Sequence, residues 1–295
     1  MAVGIWKVSN MLVMENDFVI VEINSEVGGS ISRFYYKHKG EHLPVLRAAT
    51  GTDSPVEMSM FPLVPYCNRI KNNEFEVDGK FYNLKPNFGQ EPHACHGDGW
   101  ISSWNISKAT TESVQLRLAV DEPDNPYKYE AELEYKLADN ALIVNLAVKN
   151  LSENRLPYGL GIHPYFLVDG SQLQFDAKSV VLEGPEHLPT ETISLPPELA
   201  FTNYSKLPKV WRNLCYADWS GLASVKRGGL LTQLKSKTPY LMLFTPPGEN
   251  YFCIEPMSHN IGAINNENTG LGEGVVLLNY CEFMVASYKF EMSML

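Results

Sequence analysis

The chain has 295 residues, 44% of them hydrophobic, so it is long enough to bury a large core, and all-β chains of this length commonly form one domain. We therefore expect residues 1–295 to form a single domain. The formal net charge of -10, from 34 acidic and 24 basic side chains, repels phosphate backbones and anionic lipid, which argues against nucleic acid or a membrane as a partner.

The N-terminal segment, residues 1–23, contains an early Asn and several acidic residues. It never reaches the unbroken apolar length of a signal peptide or a membrane span. The five cysteines are odd in number and lack a CxxC pair, which favours reduced thiols over a disulfide framework. Both features predict a cytoplasmic location.

Alternation of apolar and polar residues predicts strands along most of the chain, with turns marked by many of the 19 prolines and 21 glycines. After a first strand at 18–23, Asp78-Gly79 is expected to join 75–77 to Phe81 in a hairpin. The clearest alternation covers 129–137, and Asp139-Asn140, which tolerates positive φ, is expected to connect it to a strand at 141–151. Further strands are predicted at 114–120, 240–245, 251–255, 275–278 and 283–292, and 240–245 pairs with 251–255.

No segment shows a long apolar stripe with the helical period of 3.6 residues. The pattern therefore predicts an all-β fold, an antiparallel sandwich or barrel. The sequence also lacks GxGxxG, P-loop and GxSxG motifs, so dinucleotide, nucleotide and serine-hydrolase chemistry have no simple support.

Four clusters mix aromatic or apolar residues with one or two groups that can bind or titrate. Such a mixture suits sugars, which present apolar C–H faces together with rings of hydroxyl groups. The clusters are FPLVPYCNRI at 61–70, HACHGDGW at 93–100, GLGIHPYF at 159–166 and YFCIEPMSH at 251–259.

Glu255 and His163 are the candidate titrating groups. Each follows an apolar run and precedes a proline, Pro256 or Pro164, which is expected to end the strand. A partly desolvated carboxylate has a raised pKa suited to a general base, and histidine exchanges protons near pH 7. The same patterns are also typical of a glutamate in a surface ion pair and of a core histidine bonded to backbone.

The remaining polar residues of the clusters allow two interpretations each. Asn68 and Arg69 could bind vicinal sugar hydroxyls or hold Glu255, but Arg69 could also form a structural ion pair. Trp100 could stack on a sugar face or belong to the core. His93, Cys95 and His96 lack the further ligands at recognisable spacing that a metal needs, so no metal is expected, and His259 is interpreted as a loop residue.

Taken in order, the clusters resemble the aldose 1-epimerase (galactose mutarotase-like) family, specifically its shorter bacterial branch. The resemblance runs from about Pro62 to Asn265 and rests on PLVPYCNRI, HACHGDGW followed by SSW, GLGIHPYF, NLCYADWSG and FCIEPMSHN. It implies a large, twisted antiparallel β-sandwich of the galactose mutarotase type, no organic cofactor and a cleft for a free sugar. The chain could be a monomer or a homodimer.

The resemblance also implies roles for individual residues. His163 corresponds to the general acid and Glu255 to the general base, while Arg69 and His96 correspond to residues that grip ring hydroxyls and polarise the ring oxygen. Asn213 is a departure, since the family usually has an aspartate there that anchors sugar hydroxyls; an amide still bonds a hydroxyl but without charge assistance.

The implied activity is aldose 1-epimerase, an isomerase that opens and recloses the sugar ring by acid–base catalysis. For this, the carboxylate is expected to titrate below the histidine. Two alternatives stay open: a carbohydrate-binding protein without turnover, and a hexose-6-phosphate mutarotase. The latter is disfavoured because the arginines are scattered and no basic cluster stands beside a motif.

Overall fold

The computed structural model describes residues 11–51, 53–265 and 273–295. The sequence predicts that the N-terminal segment is not a signal peptide. Residues 1–10 of that segment lie outside the described residues. No helix in the described part of the chain is long and apolar enough to cross a membrane.

Strands account for nearly all regular structure in these three ranges. They are β1 (Met11–Glu15), β2 (Val19–Asn24), β3 (Ser30–His38), β4 (Glu41–Pro44), β5 (Met60–Leu63), β6 (Arg69–Ile70), β7 (Glu74–Val77), β8 (Lys80–Asn83), β9 (Ala94–Cys95), β10 (Asn105–Ala109), β11 (Ser113–Val120), β12 (Tyr129–Ala138), β13 (Ala141–Asn150), β14 (Leu156–Tyr158), β15 (Gly161–Leu167), β16 (Gln172–Phe175), β17 (Ser179–Glu183), β18 (Pro189–Ser194), β19 (Phe201–Lys206), β20 (Arg212–Ala217), β21 (Leu222–Arg227), β22 (Leu230–Ser236), β23 (Tyr240–Thr245), β24 (Tyr251–Met257), β25 (Val276–Leu278) and β26 (Phe283–Met294).

Short 3₁₀ turns occupy some of the connections: Pro55–Glu57, Lys71–Asn73, Gly99–Ile101, Pro185–His187, Pro197–Leu199 and Ala263–Asn265.

Two large antiparallel sheets form a sandwich. Within the described ranges the first sheet has 11 strands in the order β1-β2-β3-β5-β15-β24-β23-β20-β17-β18, with β4 added beside β3. The second has 9 strands in the order β10-β11-β12-β13-β26-β22-β21-β16-β19. The facing sides share one apolar core, in which Phe34 and Phe166 of the first sheet meet Phe290 of the second at ring distances of 5.6 and 6.4 Å. The predicted all-β sandwich is confirmed.

The predicted hairpins are present. β12 and β13 pair along their whole length, and Asp139 between them has a φ of 50°. β7 and β8 pair across Asp78-Gly79, where both φ angles are positive, as expected of a tight turn between twisted strands. β23 and β24 pair as predicted and bring Met242 opposite Glu255.

The expectation that Pro164 and Pro256 end their strands is wrong. β15 continues to Leu167 and β24 to Met257, and both strands lie in the interior of the first sheet. Their pairing is recorded at Gly161 with Met257 and resumes at Tyr165 with Cys253. The prolines fall in the stretch between, because a residue without an N–H fits where ladder hydrogen bonds are not required.

Candidate active site

One row of side chains crosses the outer face of the first sheet. Phe61 of β5 lies opposite His163, and the register between β15 and β24 places Glu255 opposite His163 on the other side. Met242 follows opposite Glu255, and Cys215 opposite Met242. Because alternate residues share a face, this row belongs to a second buried cluster, separate from the inter-sheet core.

His163 and Glu255 are in direct contact. His163 Nε2 and Glu255 Oε1 are 3.2 Å apart, and the residues are 8% and 2% exposed. The imidazole is clamped between Phe61 and Tyr165, with ring centroids at 4.6 and 4.8 Å and nearly parallel planes. Within the described residues, His163 Nδ1 and Glu255 Oε2 are buried without a hydrogen-bond partner, which is unusual for buried polar atoms.

Burial shifts the pKa values of Glu255 and His163 in opposite directions. It raises the pKa of Glu255 to about 8, against the opposing charge of Arg69. It lowers the pKa of His163 to about 3, and the charge of Arg47 acts in the same sense. The expected order, with the carboxylate titrating below the histidine, is therefore reversed in the ligand-free protein: the pair is neutral and its proton is favoured on Glu255.

His96 presents a hydrogen-bond donor to this pair. The backbone N–H of Asn68 donates to His96 Nδ1 at 3.1 Å, and burial lowers the pKa of His96 well below its usual value, with the charges of His163 and Arg69 adding to the effect. A neutral ring whose Nδ1 accepts carries its proton on Nε2. His96 thus has one N–H available for an acceptor beside His163 and Glu255.

Ligating atoms of His96, His163 and Glu255 lie within 4.8 Å of one another in the described chain. A metal there would need a lone pair from His96, but Nδ1 is occupied by Asn68 and Nε2 holds the proton. His93 and Cys95 do not join the group, because His93 Nδ1 accepts from the backbone of Asn72. The chemistry of the donors argues against a metal.

Arg69 lies on β6, paired with β9 next to His96. Its guanidinium binds Glu91 with two hydrogen bonds of 2.9 Å, so the ion-pair interpretation holds, with Glu91 rather than Glu255 as the partner. Burial is the largest single influence and lowers the pKa of Arg69, but the hydrogen bonds and charge of Glu91, together with Cys95 and Glu183, raise it above its usual value. Among the described residues, the contacts of Asn68 are local: its side-chain Oδ1 accepts from the Arg69 N–H, and its backbone N–H donates to His96.

Trp100 is not an open sugar platform. The residue is 2% exposed, its Nε1 donates to the carbonyls of Cys95 and Gly97, and its ring packs on Phe61 at 5.2 Å. The core alternative is correct, and Trp100 supports the turn that carries His96. His259 is also structural, since Nε2 accepts from the Cys67 N–H and Nδ1 contacts the Asn260 carbonyl at 2.7 Å.

Asn213 is part of a polar cluster that the sequence did not indicate. It is buried on the same face as Cys215, and its Nδ2 donates to Glu183 Oε1 at 2.6 Å. Glu183 also contacts His187 Nδ1 at 2.5 Å and accepts from Trp211 Nε1 at 2.6 Å. Neither Glu183 nor Trp211 belongs to one of the motif clusters, although Trp211 lies two residues before Asn213.

These residues give a face able to move one proton between two neighbouring groups. His163 and Glu255 are close enough to exchange a proton, His96 lies beside them, and aromatic rings exclude water around them. Arg69 and the Glu183 cluster add further polar groups, and they lie near enough to each other for the charge of Glu183 to act on Arg69. Such a site fits a small polyhydroxylated molecule.

The sequence profile of a family described as "Aldose 1-epimerase" matches residues 11–290. The uncharacterized protein YphB of Escherichia coli K12 is 32% identical over 248 residues, which cover 80% of this chain and 83% of YphB. Aldose 1-epimerase of E. coli K12 is 26% identical over 136 residues, and human galactose mutarotase is 30% identical over 138. Each of those two alignments covers 44% of this chain and 38% of the relative.

Solved structures share the fold. A candidate aldose 1-epimerase from E. coli K12 superposes with a TM-score of 0.89 at 27% identity, covering 97% of this chain and 99% of the other. A galactose mutarotase-like protein from Clostridium acetobutylicum has a TM-score of 0.84 at 18% identity, covering 97% and 95%. The predicted galactose mutarotase-like sandwich is confirmed.

Proposed function

Since the chain belongs to the aldose 1-epimerase family, we propose that it is a mutarotase, which interconverts the α and β anomers of a free aldose. The observation that carries the proposal is the buried contact of 3.2 Å between His163 Nε2 and Glu255 Oε1, with one unpartnered atom on each residue. A sugar-binding protein without turnover has no need of two desolvated groups that share a proton.

In the proposed reaction, Glu255 takes the proton of the anomeric hydroxyl while His163 gives one to the ring oxygen. The C1–O5 bond breaks, and the open aldehyde forms without a free oxyanion. Rotation about C1–C2 and reclosure, with the roles reversed, yields the other anomer. His96 Nε2–H and Arg69 are proposed to hold ring oxygen and hydroxyl groups.

The reaction needs the proton on His163 at its start, whereas burial favours it on Glu255. Transfer across the 3.2 Å contact leaves the total charge of the pair unchanged. A sugar hydroxyl donating to the Glu255 carboxylate would stabilise its ionised form, as the charge of Arg69 already does. We propose that substrate binding thereby shifts the pair to its reactive form.

The test is mutarotation of fresh α-D-glucose and α-D-galactose, followed by polarimetry. Glu255→Gln and His163→Asn should each reduce the catalysed rate by at least a hundredfold, because each removes a proton carrier. Glu249→Gln and His42→Asn are matched controls, since both residues are exposed, and should keep the wild-type rate. Wild-type rates in Glu255→Gln or His163→Asn would refute the assignment.

The two alternative functions predict different results for the wild-type protein. Binding of aldoses by calorimetry with no turnover in the wild type would favour a binding protein. Turnover of glucose 6-phosphate but not of glucose would favour the phosphorylated substrate.

A further inference from the structure

Glu183 and Trp211 form a polar and aromatic cluster beside the acid–base pair. Glu183 is the last residue of β17. Val181 pairs with Cys215, and the same register extended by two residues puts Glu183 opposite Asn213. Asn213 shares a face with Cys215, which lies in the row of Glu255. β20 is two strands from β24, or roughly 10 Å at the usual strand spacing, so the cluster lies near the pair on the same face of the sheet.

The contacts of Glu183 orient the whole cluster. Its carboxylate accepts hydrogen bonds from Asn213 Nδ2 and Trp211 Nε1 and contacts His187 Nδ1, all at distances of 2.6 Å or less. The Glu183 side chain is nevertheless 16% exposed. A carboxylate accepts at about four positions, so one remains for a ligand. Because Asn213 Nδ2 is committed to Glu183, the amide oxygen of Asn213 points away from it as an acceptor.

Trp211 is fixed by its hydrogen bond to Glu183 but remains exposed to solvent. It is 44% exposed, and its ring edge packs on Phe244 at 5.3 Å and lies 5.3 Å from the ring of His187. An indole that is fixed by a hydrogen bond and still 44% exposed, beside directed acceptors, matches the apolar and polar sides of a sugar ring. Trp100 cannot provide such an exposed aromatic surface, because it is buried.

We propose that Glu183 and Trp211 bind the end of the sugar remote from its anomeric carbon, with Asn213 as the positioning partner. This rests on the proposed function. Glu183 supplies a charged acceptor for hydroxyl groups at this side of the cleft, so the site selects uncharged aldoses that carry free hydroxyls there.

The decisive experiment exchanges the two polar groups. Glu183→Gln should raise KM for the aldose about tenfold, because a charge-assisted bond is lost, and leave kcat within about twofold. Asn213→Asp alone should also bind poorly, because it places two carboxylates in contact. The double variant Glu183→Gln with Asn213→Asp restores one carboxylate and one amide, and should return KM to near the wild-type value.

Glu191→Gln, on the neighbouring strand β18 and exposed, removes the same charge and should leave KM unchanged. Trp211→Leu keeps an apolar group at an exposed position and should raise KM without affecting kcat. Unchanged KM in Glu183→Gln, or no recovery in the double variant, would overturn the inference. An inactive wild type whose aldose affinity, measured by calorimetry, still falls in Glu183→Gln would refute the proposed function and leave this inference standing.

Discussion

Glu255 stands in an environment that is costly for its ionised form. It lies on an interior strand of a sheet, is 2% exposed, and its Oε2 has no hydrogen-bond donor. Desolvation dominates its pKa, and the charge of Arg69 offsets only part of it. The protein keeps a carboxylate there at the expense of stability, which is typical of a residue retained for chemistry rather than packing.

The pH dependence of kcat/KM follows from the proton count of the pair. Glu255, with a pKa of about 8, and His163, with a pKa of about 3, together hold one proton between these values. We expect kcat/KM to be flat from about pH 5 to pH 7 and to fall about tenfold per pH unit well above 8, where Glu255 loses the proton. Polarimetry corrected for spontaneous mutarotation tests this, and an acid limb centred near pH 6.5 would contradict it.

Replacing Glu255 by Gln should stabilise the fold at alkaline pH. The raised pKa means that the folded protein binds more protons than the unfolded one between about pH 4.5 and 8, so wild-type stability falls over that range. Glu255→Gln removes this loss and should be more stable by ~1–3 kcal/mol at pH 9, with a smaller gain near pH 4.5. Urea denaturation measures the difference. A gain that does not grow with pH would argue against a desolvated carboxylate.

The sequence identifies His163 and Glu255 because each follows an apolar run, whereas the role of His96 comes only from the family resemblance of its motif. The motifs did not identify Glu183 or Trp211, since a glutamate at the end of an ordinary strand has no local signal. Asn213 stands out in the sequence because the family resemblance predicts an aspartate there. Its partner Glu183, however, can be found only from the pairing of β17 with β20. For Trp100 the sequence leaves sugar stacking and core packing both open, because a tryptophan in a motif has the same pattern in either role; the structure shows the core role.

At the level of elements, alternation predicted individual strands and hairpins well, because it reports which face is buried. It failed at Pro164 and Pro256, since a proline normally ends a central strand. Here the ladder between β15 and β24 is open beside both prolines, so the strands continue. The opening coincides with the contact between His163 and Glu255.

The connection from β14 to β15 requires glycine at position 159. A Cβ there would lie 1.9 Å from Cδ2 of His259, whose ring is fixed by bonds from Cys67 and to Asn260. Gly159→Ala should therefore destabilise the protein by ~2–4 kcal/mol in urea denaturation. In a His259→Ala background the same change should cost far less; an equal cost in both backgrounds would show that His259 is not the obstacle.

At the scale of the whole molecule, the site depends on strand order rather than on local sequence. Phe61, His163 and Glu255 are far apart in the chain and become neighbours because β5, β15 and β24 are adjacent in the first sheet. Periodicity predicts the face of a residue but not the neighbouring strand. The all-β class could be predicted from the sequence, whereas the arrangement of the site could be anticipated only through the ordered motifs.

The charge of the whole molecule predicts which form of the sugar binds. The formal net charge is -10, and Glu91 and Glu183 add carboxylates next to the proposed cleft. A phosphate would meet repulsion there, so a free aldose at saturating concentration should raise the melting temperature, and its 6-phosphate should raise it less. Added salt should narrow the gap, because it screens the repulsion. Stronger protection by the phosphorylated sugar at every salt concentration would contradict this prediction and favour the phosphate-specific alternative.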